Sequence, residues 1–509
     1  MNSRFYVTTP IYYVNDVPHI GHAYTTVAAD VAARFHRLKG IDTRFLTGTD
    51  EHGQKVARAA EAQNKSPQEW TDSIVPAWQE LWKRLDISND DFIRTTEARH
   101  TTRSQEFWQR LYDSGDVYLA KYEGLYCVSC EEFYKAEELV DGKCPIHGIP
   151  VEKVSEENYF FRLSKYKDWL INEYYARTPP PVYPQSRLNE VISFAQGLQD
   201  TSISRSTFSW GIPIPWDPKH VIYVWVEALL NYITALDYPD GDLFKKFWPG
   251  VHFVGKDILR FHAATWPAML HAAGVDPPDL VVAHGWLLVG GEKMSKTKLT
   301  GIHPDTLIET FGVEGFRYYF LRDVAFGQDG SFSWESMVAR YNAELANGIG
   351  NLASRVLALI ESNAGGQIPD PRGGEQDPER ALRSVAERSV AAYDDALERF
   401  AFHEGLEAID AVVREANQYL VQTAPWKLAK EASQRKRVDA ILYTAAEVLR
   451  LLAVLLSPYT PGASSRLWSS LGIASPLDAQ RLPAAGRWGG LEPGAKVSKG
   501  EPLFPRVDA

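Results

Sequence analysis

The N-terminal part of the chain alternates short β-prone runs with an amphipathic helical pattern. Phe5-Tyr6-Val7-Thr8-Thr9 is rich in aromatic and β-branched side chains, and the turn-rich Asn15-Asp16-Val17-Pro18 follows it. The next apolar positions, Val27, Val31, Phe35 and Leu38, fall on one face of a helix that Gly40 closes. Thr43-Arg44-Phe45-Leu46 then restarts an extended pattern. A β-α-β order of this kind predicts a parallel sheet with right-handed crossovers.

From about residue 117 to 185 the rhythm breaks into short strands, clustered cysteines and the run Pro179-Pro180-Pro181, which reads as an insertion. The pattern resumes near Val221. Val251 to Gly255 is expected as a strand, Ile258 to Ala273 as a helix, and Leu280 to Val289 as two short strands around His284-Gly285, running into Gly290-Gly291. After about Trp334 the chain is almost wholly helical, interrupted by the Gly/Pro/Asp-rich stretch Asn363 to Pro378. Ala440 to Leu456 is strongly apolar but carries Glu447 and Arg450, so it reads as a buried bundle helix with a polar stripe and not as a membrane span. The tail from about Pro476 is rich in Pro and Gly and is expected to pack as an irregular strap. The division that follows is an α/β core in two halves, 1–116 and 186–335, around an insertion at 117–185, with an all-α domain and strap at 336–509. No internal repeat is evident.

Composition changes this picture little. A chain of 509 residues exceeds one hydrophobic core, in agreement with several domains. A net charge of −11 argues against a protein that coats nucleic acid nonspecifically, while leaving room for a specific RNA contact through local basic patches. Met1-Asn2-Ser3-Arg4-Phe5 is not a basic segment leading into an apolar run, so no signal peptide and no membrane association are expected, and the protein is expected in the cytoplasm.

Three groups of residues carry candidate chemistry. His19-Ile20-Gly21-His22 lies where the first strand gives way to the first helix. A helix N-terminus offers backbone N–H groups and a positive dipole end, which suits an anion. Gly21 lets a flat ring approach the backbone, and both imidazoles can face one phosphate group. Alone, the pair reads as two surface histidines beside a tight turn. Lys293-Met294-Ser295-Lys296-Thr297 sets two lysines among small hydroxyl side chains, which can neutralise a leaving pyrophosphate; alone, such a loop is ordinary solvated surface. Cys127-x2-Cys130 and Cys144-x2-His147 use all three cysteines and leave none for a disulfide. Three thiolates and one imidazole at near zinc-ribbon spacing make a closed tetrahedral Zn²⁺ site with no open position for water. The expectation is one structural zinc that holds a small insertion together; the alternative is a set of reduced buried cysteines.

Taken together, strand–His-Ile-Gly-His–helix early in an α/β core and Lys-Met-Ser-Lys-Thr later resemble the two signature motifs of class I aminoacyl-tRNA synthetases. Thr297 stands where that pattern usually has serine, one hydroxyl for another. The stretch between His22 and Lys293 leaves little room for the large editing insertion of the leucine, isoleucine and valine enzymes. The cysteine enzyme holds its zinc in the substrate pocket, whereas the ligands here cluster in one knuckle. Five further segments are similar to the methionyl-tRNA synthetase family, and the similarity runs over essentially the whole chain. They are Pro10-Ile11-Tyr12-Tyr13, Thr47-Gly48-Thr49-Asp50-Glu51-His52-Gly53, Gln199-Asp200-Thr201-Ser202-Ile203-Ser204-Arg205, Tyr223-Val224-Trp225-Val226-Glu227-Ala228-Leu229-Leu230-Asn231-Tyr232 and Gly255-Lys256-Asp257-Ile258-Leu259-Arg260-Phe261-His262.

The resemblance implies a Rossmann-like doubly wound parallel sheet with an inserted zinc knuckle and a C-terminal all-α anticodon-binding bundle. It implies ATP-dependent activation of L-methionine, with Mg²⁺ accompanying ATP, and transfer to initiator and elongator tRNA(Met). His19, His22, Lys293 and Lys296 would be the catalytic residues, binding ATP together with Gly21 and Ser295, while His284, Gly285 and Trp286 would border the adenine or ribose. Ile11, Tyr13, Trp225, Ala228, Tyr232, Ile258 and His262 would line the methionine side-chain pocket, with Asp257 among the substrate-binding positions. Aromatic walls suit a polarisable thioether. Asp50 would hold the ammonium group and Arg205 would support the site electrostatically. Asn351, Arg355 and Trp426 would read the CAU anticodon through base edges and stacking. Without the resemblance the same residues read as core packing, a structural ion pair and a helix cap. Family members with an extra C-terminal dimerisation domain are longer, so a monomer is expected. Two other functions stay open on the residues alone: a non-catalytic relative that binds tRNA or a partner protein, and a synthetase for another amino acid.

Overall fold

The β-prone runs form the middle of a seven-stranded sheet. Its order is Tyr12–Tyr13, Asp42–Asp50, Arg4–Thr8, Val251–Gly255, Leu280–His284 and Val182–Tyr183, with Asp91–Arg94 also paired to Asp42–Asp50. Val7 opposite Val251, Phe253 opposite Val282 and Leu46 opposite Asp91 are registers of parallel pairs. A parallel sheet is covered on both faces, so its central strands are buried, as are Val251, Phe253, Val254, Val281, Val282 and Ala283. This is the doubly wound α/β core expected from the sequence. The computed structural model describes residues 4–130, 132–289, 292–293 and 303–508. By packing, the chain divides into two units: residues 1–18, 43–83 and 88–284, and residues 19–42, 84–87 and 285–509.

In the first unit, the segment read as an insertion supplies three strands of a four-stranded antiparallel sheet. Val117–Cys127 lies between Glu132–Tyr134 and Glu152–Phe161, and the last of these pairs with Thr201–Ser202. The segment's C-terminal end departs from the sequence reading, because Val182–Tyr183 pairs parallel with Val281 and Val282 as an edge of the main sheet. Ile258 to Ala273 is helical as expected, but not uniformly α-helical. A 3₁₀ turn at Lys256–Ile258 runs through Leu259 and Arg260 into a π-helical turn at Phe261–Thr265 and then the α-helix Trp266–Ala272. Pro267 explains the π turn, since it has no N–H for the carbonyl of Ala263. That carbonyl accepts instead from the Tyr175 hydroxyl, at 2.8 Å.

The second unit contains the first helix, Ile20–Leu38, and the helices Pro304–Asp323, Asn351–Asn363, Asp377–Glu398, Phe402–Thr423, Arg435–Leu456 and Pro461–Ser470. Its core holds a buried ion pair. Arg317 donates to Asp30 at 2.6 Å and to the carbonyls of Leu85, Pro458 and Tyr459 at 2.8–3.0 Å. Arg435–Leu456 is buried on all sides from Ala440 onward, and its polar stripe anchors the tail. Arg450 pairs with Glu447 at 2.7 Å and donates to the carbonyls of Ala485 and Arg487, while Glu447 accepts from the N–H groups of Gly489, Gly490 and Leu491. The tail is thus an irregular strap tied down by buried charge. Among the described residues no helix is long and apolar enough to cross a membrane.

Candidate active site

Residues expected at the substrate site sit at the carboxyl edge of the main sheet. Ile11 and Tyr13 come just after Arg4–Thr8, Asp50 ends Asp42–Asp50, Asp257 and Ile258 follow Val251–Gly255, and His284 ends Leu280–His284. This is the edge at which open parallel sheets bind ligands. Tyr13 meets Trp225 edge-on at 5.8 Å, and Trp225 stacks on Phe261 at 4.8 Å and 8°. Ile11, Tyr13, Trp225, Ile258 and Phe261 are half-buried against the core, with Ala228 and Tyr232 buried on the short helices Val224–Ala228 and Asn231–Thr234.

Behind these rings the polar groups are paired and neutral. His262 Nδ1 lies 2.9 Å from the carbonyl of Ile258, which can only accept, so Nδ1 carries the proton. Its Nε2 therefore accepts from the Tyr232 hydroxyl, at 2.7 Å. Burial outweighs the Ile258 carbonyl and lowers His262 to about 4, so the ring is uncharged near neutral pH. Tyr232 stacks on His252 at 4.1 Å. His252 is held by Thr8 Oγ1 at 2.8 Å and by the Trp266 indole N–H at 3.3 Å, and burial pushes its pKa well below the usual value. The result is an uncharged, aromatic and polarisable wall.

The charged groups stand beside it. Arg205 is buried, donates to Ser202 Oγ at 3.0 Å and to the carbonyl of Ser204 at 2.7 Å, and lies over the Tyr223 ring at 4.1 Å. Asp50 is buried, and the next residue, Glu51, accepts from Arg94 at 2.7 and 3.0 Å. Asp257 is exposed on its 3₁₀ turn, close to Gly255, where a Cβ would come within 2.6 Å of its Oδ1.

His19 is the N-cap of Ile20–Leu38. Its Nδ1 accepts from the Gly21 N–H at 3.1 Å, and its own N–H donates to His22 Nδ1 at 3.2 Å. In the neutral rings both Nε2 atoms then carry the proton and are donors. The rings stack at 3.7 Å, and a Cβ on residue 21 would come within 2.9 Å of the His19 ring. Gly285 is fixed by a similar constraint, because a Cβ would collide with the backbone of Gln328 and Asp329; Trp286 N–H donates to Asp329 at 2.9 Å. Lys293 is described in its strand backbone alone. Ser295 and Lys296 lie outside the described residues. In the helical part, Arg355 lies over the Trp426 ring at 4.6 Å, with Asn351 exposed one turn before it.

The knuckle residues do converge. One donor atom each from Cys127, Cys130, Cys144 and His147 lies within 4.8 Å of every other. Cys130 Sγ is 3.5 Å from Cys144 Sγ and 3.1 Å from His147 Nδ1. Three thiolates and an imidazole this close together are a donor set that could hold one metal ion. Donors to sulfur surround them: Tyr134 hydroxyl to Cys130 at 3.2 Å and His147 N–H to Cys144 at 3.4 Å. The Trp225 indole N–H donates to the carbonyl of Cys130 at 3.1 Å, which ties the pocket wall to the knuckle.

Sequence reasoning passed over Phe261, and also over Lys55, whose ammonium sits over the Tyr13 ring at 5.3 Å. It also missed the buried partnership of His52 with Glu227 at 2.8 Å. A carboxylate inside the apolar run Val224 to Leu230 was the available signal.

Comparison with known proteins covers the whole of this arrangement. The family model described as tRNA synthetases class I (M) matches residues 5–153 and 136–357, and that described as the anticodon binding domain of methionyl tRNA ligase matches 370–509. A methionine–tRNA ligase of Streptomyces coelicolor is 54% identical over 99% of this chain and 97% of its own length. One from Bacillus subtilis is 46% identical over 100% of this chain and 78% of its own. The solved Mycobacterium tuberculosis methionyl-tRNA synthetase in complex with methionyl-adenylate superposes with a TM-score of 0.95 at 43% identity, covering 99% of this chain and 100% of that one. Matches of this identity run through the α/β residues and the helical ones alike, and the chain belongs to the methionyl-tRNA synthetase family of class I.

Proposed function

We propose that Ile11, Tyr13, Trp225, Ala228, Tyr232, Ile258 and His262 bind the side chain of L-methionine, that Asp50 takes its ammonium group and that Arg205 and Asp257 complete the substrate site. As a family member the chain is a methionine–tRNA ligase, with methionine, ATP and tRNA as substrates. The observation that carries the pocket assignment is the neutral Tyr232–His262 pair within an aromatic wall at the sheet's carboxyl edge. An uncharged, polarisable surface favours a thioether over a charged side chain.

The methionine carboxylate attacks the α-phosphorus of ATP in line and pyrophosphate leaves. The terminal ribose hydroxyl of the tRNA then attacks the adenylate carbonyl and AMP leaves. No side chain becomes covalently attached, so the protein's contribution is positioning and charge stabilisation. His19 and His22 donate to phosphate oxygens from Nε2, beside the N-terminal amides that Gly21 leaves approachable. Lys293, Ser295 and Lys296 neutralise the departing pyrophosphate, and His284, Gly285 and Trp286 border the nucleoside. Mg²⁺ accompanies ATP. Cys127, Cys130, Cys144 and His147 hold one Zn²⁺, which when bound supplies a fourfold cross-link for the knuckle and no open coordination position.

Residues 1–116 and 186–335 act as the two halves of the catalytic core around the 117–185 insertion. Residues 336–509 read tRNA(Met), initiator and elongator, with Asn351, Arg355 and Trp426 at the CAU anticodon. The protein works as a cytoplasmic monomer, for which light scattering should give the chain mass of 57.2 kDa.

The test is ATP–pyrophosphate exchange run separately with each of the twenty amino acids, without tRNA. Exchange with methionine alone is expected. Exchange driven by another amino acid would discard the pocket assignment, and no exchange from folded, zinc-loaded protein would discard the phosphate assignment.

A further inference from the structure

A buried charged cluster that no step of the reaction uses lies among the pocket elements. Glu227 is fully buried on the helix Val224–Ala228, two residues after Trp225 and one before Ala228. Its Oε1 is 2.8 Å from His52 Nδ1 and 3.4 Å from His100 Nε2. His100 is held in turn by Thr234 Oγ1 at 2.9 Å. His52 comes two residues after Asp50, on the loop that leaves the sheet. Its ring rests on Trp210 at 5.2 Å, and Trp210 donates from its indole N–H to the Glu51 carbonyl at 2.6 Å.

Between Asp50 and His52, Glu51 is fixed separately. Its carboxylate takes Arg94, Thr49 and Thr96, and its N–H donates to Thr95 Oγ1 at 2.9 Å. The backbone that presents Asp50 is therefore tied on one side to the strand Asp91–Arg94 and on the other, through His52, to the helix that carries Trp225. Burial opposes ionisation of both partners, yet Glu227 and Glu51 hold the His52 imidazole above its usual value, and His52 and His100 hold Glu227 below its own. An apolar pair of similar volume would join helix and loop at a smaller desolvation cost. What the ion pair adds is direction, since a short charge-assisted hydrogen bond fixes the angle as well as the distance between the two elements.

We propose that Glu227 and His52 form a latch that sets the Asp50 carboxylate against the aromatic wall carried by Trp225, which makes Glu227 a positioning residue for the ammonium group of the substrate. This rests on the assignment of Asp50 to the ammonium and Trp225 to the side chain. Loss of the latch lets Asp50 tilt while the phosphate-binding cap, on another part of the chain, is untouched. A displacement near 1 Å is enough to cost up to about a hundredfold.

The test compares Glu227→Gln and His52→Asn, which keep the shape and a hydrogen-bonding group but lose the charge. KM and kcat for methionine and ATP are read by exchange, and inhibition constants are read for two analogues: L-methioninol, which keeps the amine, and 4-(methylthio)butanoate, which lacks it. E227Q should raise the methionine KM and the methioninol constant at least about tenfold, with the ATP KM and the constant for the deaminated analogue within about twofold. Equal weakening of both analogues overturns the latch in favour of general packing, and no change in either overturns it outright. If E227Q does not fold, H52N is read the same way. Failure of both to fold, judged by melting, also overturns the latch and leaves a purely structural cluster. Absence of methionine-dependent exchange in the unmutated protein would instead strike the pocket assignment, and that result is visible before any variant is made.

Discussion

Replacing Tyr232 with phenylalanine removes one oxygen and keeps the ring that stacks on His252 at 4.1 Å. The oxygen donates to His262 Nε2 at 2.7 Å, and His262 cannot turn that nitrogen into a donor because its proton is committed to the Ile258 carbonyl at 2.9 Å. The variant therefore strips a fully buried acceptor of its donor, at a cost of about 1–3 kcal/mol. At about 1.4 kcal/mol per tenfold, the corresponding loss of methionine affinity is roughly fivefold to a hundred-and-fiftyfold, if the pocket bears the whole cost. The assay is ATP–pyrophosphate exchange with methionine varied at saturating ATP, then ATP varied at saturating methionine, alongside a melting curve. Methionine KM should rise within that range, with ATP KM unchanged. Because His262 stays neutral down to about 4, the ratio of variant to unmutated KM should be the same at about pH 6 and about pH 8. A folded variant with unchanged methionine KM would refute the idea that this pair shapes the pocket. An equal rise in both KM values would mean that the change disturbs the unit as a whole.

Three further outcomes are expected. His262 is lowered in the fold from 6.5 to about 4, so the unfolded chain binds its proton more readily; the stability it contributes is complete above about pH 6.5 and is lost as pH falls toward 4, roughly 3 kcal/mol in all, and a urea midpoint that stays flat across that window would contradict this. Chelation of the knuckle metal should loosen the 3.1 Å bond from Trp225 to the Cys130 carbonyl, raising the methionine dissociation constant about fivefold with a change in tryptophan fluorescence, both reversed by zinc; unchanged affinity in folded, metal-free protein would rule the link out. Glu447→Ala leaves Arg450 buried without its carboxylate and frees the N–H groups of Gly489, Gly490 and Leu491, so stability should fall by about 3–5 kcal/mol and proteases should cut the strap faster, whereas an unaltered urea midpoint would show that the strap is held elsewhere.

Much of this was legible in the residues because it rests on local pattern. The central strands are rich in aromatic and β-branched residues, the first helix shows its period in Val27, Val31, Phe35 and Leu38, and the knuckle shows itself in the spacing of four ligands. Other features left no local trace. Val182–Tyr183 is a strand of two residues, too short for any period, and the π-helical turn at Phe261–Thr265 depends on where the carbonyl freed by Pro267 finds a donor. Glu227 is a charge in an apolar run, but its partner His52 lies 175 positions away, a pairing that only folding reveals. The second unit claims the first helix for the same reason, since Asp30 and Arg317 meet across 287 positions.

That last grip has a mechanical meaning. Ile20–Leu38 is a rod of 19 residues, about 28 Å long, with the stacked histidines at its tip. The helical unit clasps it near the middle, at Asp30, and again at the far end, where the Leu38 carbonyl takes the Leu482 N–H at 2.8 Å and Lys39 reaches Asp394. Two clasps on a stiff rod fix its direction as well as its place. A shift of the helices that hold Asp30 and Leu38 would therefore carry the histidine pair with it, because the rod between is stiff.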